Sequence, residues 1–272
     1  MKRGNQGKFN KILSDIKSVK IQGARNVARA ALYAYSLVPT KSAKEKLIHA
    51  RETEPMLINV LKKVEKEHYK KILEHFDSAQ EKINKNVLEI VKNGDVIFTH
   101  CHSTNVSNAL IYSKKKGKKF EVYNTETRPL YQGRKTAREL RKAGIKVTMF
   151  IDSALSVAIE KDNRNDKIYS SKIFLGADAL LKKGIINKIG SNLIAKIGRM
   201  EKVPVYIIAD SWKFSSKNVP IEQRKLNEVW NRAPKNIRIK NPAFEFVPEK
   251  FITKIISEHG ILGYGEFVRK IS

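Results

Sequence analysis

The one cysteine of the 272-residue chain stands in the stretch Phe98-Thr99-His100-Cys101-His102-Ser103-Thr104-Asn105-Val106, between two of the six histidines. A thiol in that setting has three uses. It can fill a core as a small apolar side chain, as most free cysteines do. It can ligate a metal, but His-Cys-His at consecutive positions sends the side chains in different directions and no second ligand pair has zinc spacing. No metal and no cofactor are therefore expected. Or it can act as base or nucleophile, because the N-terminus of a helix and neighbouring histidines stabilise the thiolate. Its place between a β-branched run and an amphipathic one favours this third use.

Asp178 closes the apolar run Ile173-Phe174-Leu175-Gly176-Ala177. A carboxyl facing a dry pocket has a raised pKa, and a neutral carboxylic acid can donate a proton. The alternative is an aspartate that caps the following helix. The stretch Asn187-Lys188-Ile189-Gly190-Ser191 reads either as a plain helix start or, with a phosphate nearby, as an anion site made of amides and a lysine. Gln22-Gly23-Ala24-Arg25 and Arg51-Glu52-Thr53-Glu54-Pro55 place arginines near segment starts, where they are either solvated or held for phosphate.

Those residues need elements to bring them together. Apolar residues recur at three-to-four spacing from residue 8 to about residue 92, and Pro39 and Pro55 punctuate the pattern, which predicts an N-terminal helical domain over residues 1–93. After Asn93-Gly94 short β-branched runs alternate with amphipathic segments: DVIFTH, FEVYNTE, KVTMFID, KIFLGAD and VPVYIIAD. This alternation predicts an α/β domain over residues 94–272, Rossmann-like, with a mainly parallel sheet. NPAFEFVPEKFITKII is expected to form a C-terminal arm that ends in a helix.

Ligands sit beyond the carboxyl ends of the strands in open parallel sheets. The rule puts His100 to Ser103, Glu126-Thr127-Arg128, Asp152-Ser153, Gly176-Ala177-Asp178, and Asp210 with Lys213 on one rim. A thiol, an acid, an arginine and a lysine thus converge more densely than packing requires.

The formal net charge is +27, from 54 Lys and Arg against 27 Asp and Glu. Nucleic acid, an acidic membrane surface or phosphorylated substrates are its natural partners. Zinc-finger spacing, an aromatic RNA-binding signature and heptads are all lacking, which speaks against a dedicated nucleic-acid module. The run Lys114-Lys115-Lys116-Gly117-Lys118-Lys119 reads as the solvated end of a helix. No segment approaches the roughly 20 apolar residues needed to span a bilayer. One cysteine allows no internal disulfide, and MKRGNQGKFNKIL lacks the apolar run of a secretory signal, so a cytoplasmic location is expected.

In order along the chain, THCHS, ETRPLYQGRKTARELRKAGI, IDSA, GAD, GIINKIGS, DSWKF and PIEQR resemble one superfamily. It holds the regulatory alpha, beta and delta subunits of the exchange factor for translation initiation factor two, methylthioribose-1-phosphate isomerase, and archaeal ribose-1,5-bisphosphate isomerase. The resemblance runs from about Ile16 to Ile261. Cys101 and Asp178 are both present, and THCHS is similar to the ribose-bisphosphate branch, whereas it fits the methylthioribose branch poorly. The resemblance implies Cys101 as general base and Asp178 as general acid. It implies Asn187, Lys188 and Lys213 as substrate ligands, Ser103, Thr104 and Asn105 at a phosphate, and Arg51 as a further phosphate arginine. The family usually has Arg-Gly-Ala where this chain has Gln22-Gly23-Ala24, so the missing guanidinium is either replaced by Arg25 or lost. Glu52 stands where a proline usually follows the matched arginine. The alternative function within the superfamily is a non-catalytic regulatory subunit that senses a sugar phosphate or nucleotide and partners initiation factor two. A homodimer or a hexamer of dimers is the assembly the resemblance implies.

Overall fold

The computed structural model describes residues 3–160 and 169–272. Five helices come first: α1 (Arg3–Lys17), α2 (Ala24–Leu37), α3 (Lys41–Ala50), α4 (Pro55–Lys63) and α5 (Tyr69–Ile90). Their boundaries follow local chemistry. The Thr40 hydroxyl accepts the Ala43 N–H at 3.2 Å to start α3, and Pro55 opens α4 where a missing N–H costs nothing. In α2 the buried residues Ala24, Val27, Ala28, Ala31 and Leu32 form one stripe at helical spacing. That stripe packs into two clusters, one with Phe9, Leu47 and Leu57 and one with Met56, Val60, Ile72 and Phe76.

The remaining elements are β1 (Val96–Thr99), α6 (Thr104–Lys115), β2 (Glu121–Thr125), α7 (Gln132–Lys142), β3 (Lys146–Phe150), α8 (Leu155–Ile159), β4 (Lys172–Leu175), β5 (Ala179–Leu181), β6 (Gly184–Lys188), α9 (Ser191–Met200), β7 (Val205–Ile208), β8 (Phe244–Pro248), β9 (Lys254–Ser257), β10 (Gly260–Leu262) and α10 (Tyr264–Ile271). The main sheet has seven strands in the order β10-β9-β7-β4-β1-β2-β3. All its pairs are parallel except β9 with β10. The five β-branched runs are its parallel strands β1 to β4 and β7, as the alternation predicts.

Strand period two splits the core into two layers. Phe98, Ile173, Leu175, Ile207 and Ile255 face one layer with α8 to α10. Ile97, Phe174, Ile208 and Ile256 face the other, which takes in Ile83 and Val87 from α5 and Val106 and Leu110 from α6. Helix α5 therefore contributes to both the helical unit and the sheet. The Lys114 to Lys119 run ends α6, with Gly117 at φ 87°.

Two readings of the sequence are corrected. The expected C-terminal arm is not an appendage: FEFVP is β8 and KIIS is β9, a buried strand of the main sheet paired with β7. Asp178 does not cap a helix, because it is followed by β5. That strand belongs to a second, antiparallel sheet of three strands in the order β5-β6-β8. Among the described residues, no helix is long and apolar enough to cross a membrane.

Candidate active site

The chain runs β1-β2-β3 to one side and then returns to place β4 on the other side of β1. Strand order reverses there, so α6 after β1 and α9 packed over β4 lie on opposite faces of the sheet and leave a crevice between the carboxyl ends of β1 and β4. Cys101 follows β1 and Asp178 follows β4. The start of α2 and the turn before α4 close the crevice from above, leaving a cleft with about 1080 Å³ of space when the open solvent at its mouth is included. The start of α2 contributes Gln22, Gly23, Ala24 and Arg25, and the turn before α4 contributes Arg51. Beyond β1 lie Ser103, Thr104 and Asn105, the end of β6 carries Asn187 and Lys188, and a 3-10 turn after β7 carries Lys213.

Cys101 adopts left-handed backbone, φ 64°, and its N–H donates to the Thr127 hydroxyl at 3.0 Å. Thr127 is fixed in turn by Asp152, whose Oδ1 accepts the Thr127 N–H at 2.9 Å and whose Oδ2 accepts the Arg128 N–H at 2.6 Å. The two histidines support this backbone rather than the chemistry. His100 Nε2 lies 2.8 Å from the Ile189 carbonyl, which can only accept, so Nε2 carries the proton and Nδ1 accepts from the Thr125 hydroxyl at 2.5 Å. The Thr136 hydroxyl donates to the Cys101 carbonyl at 2.8 Å, so at 3.1 Å His102 Nδ1 must donate to Thr136. Burial lowers both imidazoles, His102 to about 4, and both are neutral at pH 7.

Burial also pushes the Cys101 thiol up to about 12, against the lowering influence of the Lys188 ammonium and the His102 backbone N–H. This corrects the sequence reading in which the helix end and histidines hold a thiolate: neutral imidazoles supply no charge, and desolvation outweighs the rest. Asp178 behaves as expected of a carboxyl in a dry pocket. Burial raises it, while Lys213, Arg51 and Lys188 oppose the rise.

Lys213 is itself oriented by a 2.7 Å bond from Nζ to the Ala177 carbonyl. Its turn is clamped from above, since Asn59 on α4 donates to the Trp212 and Phe214 carbonyls, both at 2.8 Å. The helical unit thus positions a strand-end lysine.

Two helix N-termini open into the cleft. That of α2 begins at Gly23, φ 85°, and no side chain caps it. That of α6 is capped by Ser103, whose hydroxyl meets the Val106 N–H only at 3.5 Å. Both ends favour an anion. Gly176 makes the second possible, because a Cβ there would lie 2.6 Å from Ser103 Oγ. Asn105 offers its backbone alone, since its side chain amide donates to Gln80 at 2.9 Å. In the stretch Asn187-Lys188-Ile189-Gly190-Ser191, read as a helix start or an anion site, the amides are met from within: Glu245 Oε1 accepts the Gly190 N–H at 2.6 Å and the Asn192 N–H at 2.9 Å. Asn187 donates to the Ser191 hydroxyl at 2.8 Å, and Lys188 ends β6 rather than starting a helix.

Both arginines line the cleft and are held by carboxylates. Arg25 pairs with Asp77 at 2.5 Å and lies over the Phe76 ring, and Arg51 lies 3.1 Å from Glu222 and 3.5 Å from Glu54. Arg128 reaches the Tyr131 hydroxyl and the Val229 carbonyl, outside the cleft, and Asp210 pairs with His75 at 3.2 Å.

Sequence reasoning missed Glu54, Gln132, Lys135, Glu222 and Arg224, which also line the cleft. Glu222 and Arg224 sit in PIEQR and Lys135 in the run before Ile145, so their signal was the motif and not the residue. Away from the cleft, His75, Asp210 and Glu258 bring ligand atoms within 4.8 Å of one another. Hydrogen bonds account for this group: Trp212 and Ser211 backbone N–H groups donate to Asp210 and Glu258 at 2.9 and 3.0 Å, and His75 stacks on the Trp212 ring.

A helical unit closed over the switch point of a doubly wound sheet, with a thiol, a carboxyl of raised pKa, lysines and two helix ends in the crevice, defines an α/β protein with a polar cleft at its strand ends. The chain belongs to the initiation factor 2 subunit family, whose family model matches residues 20–263. It is 34% identical to the ribose 1,5-bisphosphate isomerase of Methanocaldococcus jannaschii over 91% of this chain and 89% of that one. To the ribose 1,5-bisphosphate isomerase of Thermococcus kodakarensis it is 32% identical, over 92% of this chain and 89% of the relative. Among solved structures, the translation initiation factor eIF-2B of Pyrococcus horikoshii OT3 superposes with a TM-score of 0.82 at 26% identity, covering 97% of this chain and 98% of that one.

Proposed function

We propose that the chain is a sugar-phosphate isomerase that converts ribose 1,5-bisphosphate to ribulose 1,5-bisphosphate, with Asp178 and Cys101 as acid and base. The observation that carries the reading is the placement of a half-buried thiol and a half-buried carboxyl on adjacent strand ends, in one cleft with two helix N-termini. Two relatives of that name, each about a third identical, support the substrate. Asp178 donates its proton to the ring oxygen as the bond from that oxygen to C1 breaks. The Cys101 thiolate takes the hydrogen of C2, leaving an enol with its phosphate on C1. The thiol then returns a proton to C1, and Asp178 recovers one from the C2 hydroxyl as the ketone forms. Both groups end as they began, and no outside proton is consumed.

A thiol at about 12 is protonated in the empty cleft. Its proton has to leave before the first turnover, and the Lys188 ammonium beside it is the group that favours the thiolate. The α2 and α6 N-termini are the sites for the two phosphates, aided by Lys135 and Lys188. A homodimer, or a hexamer of dimers, in the cytoplasm completes the reading.

Cys101→Ser tests it. The change spares the shape but leaves a hydroxyl far less acidic than a thiol. The variant is expected to bind the bisphosphate yet neither form the ketose nor exchange the C2 hydrogen with solvent deuterium. Retained exchange excludes Cys101 as the base. The likeness to the Pyrococcus initiation factor favours one other reading, a non-catalytic subunit. Absence of turnover in the wild type, with association to initiation factor two, selects it.

A further inference from the structure

The acid–base pair leaves one buried titratable group in the cleft without a task. Glu54 precedes α4, its side chain is 2% exposed, and it lines the same cleft as Asp178. Its Oε1 lies 3.5 Å from Arg51, a contact too long for a good hydrogen bond, and its Oε2 has no partner although it is shut off from bulk water. Buried carboxyl oxygens in folded proteins are almost always satisfied, so an orphan that lines a ligand cleft is completed by the ligand. An ionised carboxylate there would compete with Glu222 for Arg51, which lies 3.1 Å from Glu222 and 3.5 Å from Glu54.

We infer that Glu54 is a neutral carboxylic acid that hydrogen-bonds a hydroxyl of the sugar through Oε2. The assignment deepens the proposed function and rests on it. Burial raises Glu54 to about 8, against the lowering influence of Arg51 and Lys213. The group is therefore protonated where the enzyme would work. An O–H can donate to a sugar oxygen, and the carbonyl oxygen can accept from a sugar hydroxyl. An ionised Glu54 could only accept, and would repel a ligand that carries two phosphates. The faces around it are accounted for: Asp178 follows β4, Arg51 lies in the turn before α4, Lys213 in the turn after β7, and Glu222 in the segment after that turn.

The test is calorimetric binding of ribose 1,5-bisphosphate to wild type, Glu54→Gln and Glu54→Leu between pH 6.5 and 9.5. Wild type is expected to lose affinity above about pH 8, approaching tenfold per pH unit, as one proton is lost. Glu54→Gln, which cannot ionise, removes that limb, and at pH 6.5 it binds about tenfold more tightly than Glu54→Leu, which has no hydrogen-bonding atom. A limb that persists in Glu54→Gln, or equal affinity of the Gln and Leu variants at pH 6.5, overturns the assignment while leaving the isomerase reading intact. A wild type that binds no bisphosphate overturns both. The pH comparison of wild type with the isosteric Gln variant holds even if Glu54→Leu fails to fold.

Discussion

Arg51→Ala distinguishes an arginine held for phosphate from one that holds the protein together. The guanidinium is 8% exposed and lies 3.1 Å from Glu222, 3.5 Å from Glu54 and 3.4 Å from the Ile21 carbonyl. Breaking a buried ion pair by removing one partner costs about 3–5 kcal/mol. Two features reduce that here. Glu222 keeps Arg224 at 3.1 Å, and Glu54 is raised to about 8, so it is neutral at pH 7 and needs no counter-charge. A loss of about 2–3 kcal/mol remains. At about 2–4 °C per kcal/mol for a chain of this size, Tm should fall by about 5–10 °C. Scanning calorimetry on wild type, Arg51→Ala, Glu222→Gln and the double variant measures it. The double variant should be less destabilised than the sum of the singles by about 1–2 kcal/mol, because Glu222→Gln removes the charge left unpaired. The reasoning is refuted if Arg51→Ala melts within about 1 °C of wild type while binding the bisphosphate more weakly. That pattern would mean the guanidinium leaves its carboxylates for the ligand.

Asp178→Asn keeps the shape of the acid without its proton, and turnover measured by ketose formation should fall by about 100-fold or more, with binding largely kept; near-normal turnover would remove Asp178 from the mechanism. Gly176→Ala puts a Cβ 2.6 Å from Ser103 Oγ and 2.7 Å from its Cβ. Overpacking of this kind should cost about 1–3 kcal/mol in denaturant unfolding, with weaker bisphosphate binding because the α6 N-terminus shifts; unchanged stability would show that Ser103 can turn away freely. Glu54 sets a pH slope on stability. Folded, it keeps its proton up to about 8, whereas the free group releases it near 4.5, so the native state binds more protons between those values and stability falls as pH rises through them. Glu54→Gln should therefore gain on wild type in Tm between pH 5 and pH 8.5, and parallel Tm profiles would contradict a protonated Glu54.

The parallel sheet was legible because β-branched runs at regular spacing admit little else, and the rim followed from the strand-end rule. Arg128 and Asp210 show the limit of that rule. Both stand at strand ends, yet one turns to the Val229 carbonyl and the other to His75, choices made by partners distant in sequence. KIIS failed for a different reason. Four apolar or long residues after a proline-rich stretch carry no period, and pairing with β7 and β10 makes them a strand. The state of Cys101 was misread because type and neighbours were visible while burial was not: the histidines named beside it point to Ile189 and Thr136 and bring no charge. Glu54 lay inside a stretch singled out for its arginine, and nothing in its spacing distinguishes a dry carboxyl from a solvated one.

The left-handed backbone of Cys101 bears on how such a site persists under mutation. Glycine is the residue that adopts φ 64° without penalty, and a side chain there costs about 1 kcal/mol. Selection for stability alone would therefore drive position 101 toward glycine, and a thiol survives there only while its chemistry is under selection. Thr127 and Asp152, which hold that backbone through the Cys101, Thr127 and Arg128 N–H groups, would outlast the thiol in a lineage that lost the activity. A descendant serving only as a binding subunit would keep the frame, drop the cysteine and melt at a higher temperature.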